Sequence, residues 1–157
     1  MDALMFEEMR KNADIISKYV KEKGTESEEI KKKRAFIREA KKTALEILDV
    51  ARKQGFLELK RFADKLQQEG IEGHLKDMLN FVADGMDTAV LEEIARNKYF
   101  TNCYSGFGGL EFIIYMYTCM TIRQNVPLHV IEAVIDSMIP DVVRLDVNVN
   151  IANEGCL

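Results

Sequence analysis

Residues 106–122, GFGGLEFIIYMYTCMTI, form the most apolar stretch of this 157-residue chain, and their reading decides the fold. A helix that crosses a bilayer needs about 20 consecutive apolar residues. This run falls short of that length and carries a carboxylate, Glu111. A helix that is apolar on every side, yet too short for a membrane, must be covered by other helices. Ile113, Ile114, Tyr115, Met116 and Tyr117 therefore predict a central buried helix over about 109–123, in a domain that is not an integral membrane protein.

The sequence on either side supplies the covering helices. Downstream, Pro127 suits the first turn of a seventh helix with Val130, Ile131, Val134, Ile135 and Met138 facing inward, and Pro140 ends it. The tail 142–157, VVRLDVNVNIANEGCL, alternates apolar and polar residues as a short strand would. No partner strand is evident, so a helical extension or an ordered coil fits equally. Upstream, NKYFTNCYSGFGG (97–109) reads as an aromatic loop folded onto the body. Asp87 can cap a fifth helix over about 88–97. Leu75, Met78, Leu79 and Val82 line a fourth that stops before Gly85, and a third runs over about 56–68 to Gly70.

Gly55 ends a long second helix, because glycine takes a left-handed cap without penalty. That helix opens at a capping box of Thr25 and Glu28 and carries the stripe Ile37, Ala40, Ala44, Leu48, Ala51. Met5, Met9, Ala13, Ile16 and Val20 make the inner face of the first, which ends at Gly24. The expected fold is all-α: one domain over 1–157, about seven helices packed as an irregular bundle. Its parts are long N-terminal helices (1–53), a middle segment (55–97) and an apolar C-terminal hairpin (106–140). GFLEL at 55 and GGLEF at 108 each open a helix, a likeness that two related hairpins would explain, but two copies are too few to claim a solenoid and chance between amphipathic helices is the favoured reading.

Composition excludes some functions. Apolar residues make up 47% and charged residues 31%, an ordinary globular balance. A net charge of −4 argues against a nucleic-acid binder, which needs a basic face. The run KKKR at 31–34 sits among Glu26, Glu28, Glu29 and Glu39, as on a solvated helix face. Cys103, Cys119 and Cys156 form no CxxC pair, and the N-terminus has no secretory apolar run; both fit a cytoplasmic protein with inert thiols.

Catalytic chemistry is not evident. His74 and His129 each stand near a helix start, without metal-ligand spacing, as surface or capping residues do. Asp84 and Asp87 around Gly85 are explained by turn and capping chemistry. GFGG at 106–109 lacks the Lys and Ser/Thr of a phosphate loop. Glu111 is the one carboxylate placed for burial, and its helix-start position accounts for it. No metal or cofactor is implied, and the chain reads as non-enzymatic.

Residues 48–97 carry a more specific pattern. Ala51-Arg52, Gly55, Leu57 and Leu59 come first, then Leu75, Leu79, Asp84, Gly85 and Asp87, continued by LEEIARN. This resembles the cytoplasmic segment of the motility protein A family, the stator of the bacterial flagellar motor, over about a third of the chain. The resemblance implies a protein partner, a flagellar rotor component, contacted by a basic residue before the glycine and an acidic one after it. Arg52 matches the first. At the second this chain has Lys60, with Glu58 two residues earlier. Arg52, Glu58 and Lys60 are expected to project into solvent as a mixed-charge surface, and Lys60→Glu to restore the family's sign. The family's membrane helices have no counterpart: their place before the motif is taken by EEIKKKRAFIREAKKTALEILDV, which is too charged to cross a bilayer.

Two further readings compete with a motility interaction module. One is an unrelated all-helical adaptor or regulatory protein. The other is an enzyme or small-ligand binder with a pocket near NCYSGFGGLE. The oligomeric state stays open, a homo-oligomer included.

Overall fold

The computed structural model describes residues 3–143, with side chains from Met5 onward. Among them are seven α-helices: α1 (Ala3–Lys23), α2 (Glu28–Gln54), α3 (Phe56–Asp64), α4 (Gly70–Ala83), α5 (Thr88–Thr101), α6 (Gly106–Thr121) and α7 (Leu128–Met138). A 3-10 turn, Asp141–Val143, follows. No strand occurs in the described residues, and the alternating tail lies beyond them from residue 144. The fold is an all-α bundle, and no described helix is long and apolar enough to cross a membrane.

Helix α6 is the axis, as its all-round apolar character requires. It packs against α1, α2, α4, α5 and α7, while α3 lies on α2 and α4. Leu110, Phe112, Ile113, Ile114 and Cys119 are among its buried residues. Cys119 is wholly buried, and that burial pushes its thiol up to about 12. Buried side chains from all seven helices form one continuous core.

Side-chain contacts fix the helix directions. Lys33 lies over the Phe107 ring at the start of α6, and Arg52 reaches Gln124 beyond its end, so α2 runs parallel to α6. Ile71 and Arg123 place α4 the same way. Asn12 meets Gly106 while Met5 lies beside Thr121, so α1 is antiparallel, as is α5 through Tyr99 and Glu92. Lys41 holds α7 to α2 through Glu132 (3.1 Å) and Asp136 (2.8 Å).

Several boundaries differ from those expected. Ser27, not Thr25, caps α2: its extended backbone brings Oγ to the Ile30 N–H at 3.3 Å. Helix α3 stops at Asp64, short of 68, and Gly70 begins α4 where it was expected to end α3. The chain folds back so closely there that a Cβ on Gly73 would stand 2.3 Å from the Gln68 carbonyl oxygen. The expected loop 97–109 shrinks to 102–105, since α5 continues to Thr101 and α6 already begins at Gly106. Burial of Tyr99 outweighs the local turn preference of Asn97 and Asn102. In α7, Val130 is 39% exposed, so the inner face is Ile131, Ile135 and Met138 with Val134 partly buried beside them.

One buried polar group joins three helices. Asn12, 2% exposed, donates through Nδ2 to the Tyr99 hydroxyl at 2.8 Å and accepts the Gly106 N–H through Oδ1 at 3.0 Å. Its amide fills the space over Gly109, where a Cβ would meet Nδ2 at 2.5 Å.

Candidate functional site at the Gly55 end

Arg52, Gly55, Asp84, Gly85 and Asp87 of the stator-like pattern lie toward one end of the bundle, whereas Leu75 and Leu79 line the core along α4. Gly55 makes the corner. Its φ of +89° and ψ of −179° belong to a region essentially closed to side-chain-bearing residues, and its N–H bonds to the Ala51 carbonyl at 3.2 Å. The turn sends Leu59 and Ala63 of α3 into the core. It leaves Phe56 (41% exposed) and Leu57 (65%) on the outside.

A second glycine corner stands beside it. Helix α4 closes in a Schellman arrangement, with the Gly85 N–H on the Val82 carbonyl and the Met86 N–H on that of Phe81. Gly85 has φ +89°, as that cap requires. Arg123, just past α6, donates through Nη2 to the carbonyls of Val82 (2.8 Å) and Met86 (2.7 Å). Asp87 then caps α5, accepting the Ala89 N–H at 3.0 Å, as its position in the sequence suggests.

The structure brings Lys60 and Asp84 together as an ion pair across α3 and the end of α4. Lys60 is half-buried, a correction to the expectation that it projects freely into solvent. Reversing its sign would set a carboxylate against Asp84, so Lys60→Glu cannot simply restore the family's contact. Glu58, partly buried, pairs within its own helix with Arg61. Arg52 is exposed and donates to the Gln124 carbonyl at 3.4 Å, away from Glu58 and Lys60.

The guanidinium groups of Arg52 and Arg123 thus meet carbonyls, with no carboxylate partner among the described residues. The face is of mixed charge, with a positive bias beside two exposed apolar side chains. Sequence reading missed Arg123 and Gln124. The signal was the polar break RQN directly after the apolar helix, which places an arginine within reach of neighbouring helix ends.

Elsewhere, chemistry is sparse. No three His, Cys, Asp or Glu among the described residues are grouped as metal ligands. His129 is exposed, whereas His74 is half-buried, edge-on to Tyr104 and Phe112 at 6.0 and 6.3 Å, so it is a packing residue. Cys103 is exposed and Cys119 buried. Burial, aided by the Glu72 carboxylate, raises Glu111 to about 7. The segment expected to form a ligand pocket is closed at its glycines by Asn12 and by Ile15, whose methyl would lie 3.3 Å from a Cβ on Gly106.

No protein-family model, curated protein or solved structure matches the chain.

Proposed function

We propose that this chain is a non-enzymatic protein-interaction module that binds a protein partner through the Gly55 end of its bundle. The partner suggested by the stator-like pattern is a flagellar rotor component, which would set the module in motility or its regulation. The observation that carries the reading is the Lys60–Asp84 ion pair. It ties Lys60, in the first half of the pattern, to Asp84 in the second. Phe56 and Leu57, at the start of α3, supply exposed apolar area, and Arg52 and Arg123 supply charge at the same end of the bundle. Exposed apolar area together with charged groups is the usual make-up of a protein interface.

The same surface supports the second reading, an unrelated adaptor or regulatory protein with a different protein partner. Lys60 standing where the family has an acidic residue favours it. Amide hydrogen exchange on a mixture with the rotor protein of the same organism separates the two. Slowed exchange over 52–60 and 84–87 is expected for a rotor-binding module. Exchange unchanged there under saturating rotor protein contradicts motility and leaves the adaptor reading.

A further inference from the structure

Helices α1 and α5 both run antiparallel to α6 and are joined at Asn12 and Tyr99 (2.8 Å). Toward their N-terminal ends they leave an open cleft floored by α6, with a cavity of about 130 Å³. Met5, Ala95, Ile113, Met116 and Met120 give it apolar walls, and its polar lining includes Glu92, Arg96 and Gln124. An apolar cavity of about 150 Å³ holds a benzene ring. Methionine walls suit an aromatic guest, since their flexible thioethers adapt to it and make favourable sulfur–ring contacts. The cleft is the size and chemistry of a socket for one phenyl side chain.

The matching side chain is next to the socket. Phe6 follows the wall residue Met5 and is 63% exposed. We infer that the chain forms a two-fold dimer in which each copy's Phe6 occupies the other copy's α1–α5 cleft. A self-complementary patch of this kind closes on itself under two-fold symmetry, with the two α1 helices antiparallel. Charge completes the fit. Arg10, one turn beyond Phe6, is exposed with no carboxylate partner among the described residues, and Glu92, exposed on the cleft rim, has no basic one. Because α5 runs parallel to α1, the antiparallel setting carries Arg10 of one copy toward Glu92 of the other.

The surface is separate from the Gly55 corner except at Gln124, which borders both. The test is sedimentation equilibrium on the full chain from about 1 μM to about 1 mM. Wild type should show a monomer–dimer equilibrium inside that range. Phe6→Ser should raise the dimer Kd by about tenfold or more, with an unchanged circular dichroism spectrum because the side chain is exposed in the monomer. Arg10→Glu and Glu92→Lys should each weaken the dimer, and their combination should recover it. A wild type monomeric throughout, as expected if a different protein fills the cleft, overturns the inference. So does Phe6→Ser dimerising like wild type, or a charge-swapped double variant no stronger than its parents. Phe6, Arg10 and Glu92 lie off the Gly55 surface, so loss of the dimer and loss of partner binding are read independently.

Discussion

Replacing Asn12 by leucine removes the polar junction of α1, α5 and α6 while roughly conserving side-chain volume. Two groups lose their bonds to Asn12: the Gly106 N–H, held at 3.0 Å, and the Tyr99 hydroxyl, held at 2.8 Å, which keeps only the Glu8 carboxylate beside it. Each orphaned buried polar group costs about 1–3 kcal/mol. Leucine recovers some of this through apolar burial, but its tetrahedral end must fit the space over Gly109 that the planar amide of Asn12 now fills. The expected net loss is about 2–4 kcal/mol, read from urea unfolding followed by far-ultraviolet circular dichroism. Tyr99→Phe alone should cost about 1 kcal/mol, since it removes one hydroxyl and leaves the Gly106 bond. The double variant should cost less than the sum, because no orphaned hydroxyl then remains. A loss under about 0.5 kcal/mol for Asn12→Leu would mean that water or backbone movement satisfies these groups, and the junction argument would fail.

Ile114→Asp should destabilise by about 3–5 kcal/mol or abolish folding, since Ile114 is fully buried on α6; an unchanged melting temperature would show that helix to be exposed. Gly55→Ala meets no atom within 4 Å, so its cost is purely conformational, about 1–3 kcal/mol from the φ of +89°, and equal stability of the two proteins would contradict that geometry. Glu111 is raised from 4.5 to about 7 by burial and by Glu72, so the folded protein holds this proton more tightly than the unfolded chain does. Its contribution to stability is complete below 4.5 and is lost as pH rises through about 7. Glu111→Gln should therefore gain about 1–2 kcal/mol at pH near 8 and little at pH near 4.5, a figure discounted for the part of the side chain that water still reaches; identical pH profiles would refute it.

The helices were legible in the sequence wherever burial has a period. Leu75, Met78, Leu79 and Val82 face inward as their spacing says, and Asp87 caps as its position says. What the spacing did not reveal depends on contacts across the chain. Asn12 reads as a surface residue of an amphipathic helix until Tyr99 and Gly106 stand beside it. The extension of α5 to Thr101 has the same cause, because Tyr99 gains more from the core than the neighbouring asparagines gain from a turn. The glycines of GFGG suggest a loop, yet Gly109 is where α6 comes against α1 and must lack a side chain. At the candidate site, Gly55 and Gly85 were legible because each ends a helix. The pairing of Lys60 with Asp84 was not, since charge alone does not say which partner a lysine reaches.

The central claim is that the Gly55 end binds a protein partner, and a binding titration against the rotor protein of the same organism tests it most directly. Wild type, Leu57→Asp and Arg52→Glu are compared at low and high salt. Leu57 is exposed and Arg52 meets only a carbonyl, so both variants should fold as wild type does. The account predicts saturable binding by wild type that weakens with salt. Leu57→Asp should lose affinity at both ionic strengths, and Arg52→Glu should lose more at low salt than at high, as a rim charge does. No binding by wild type, or equal binding by all three proteins, would contradict it.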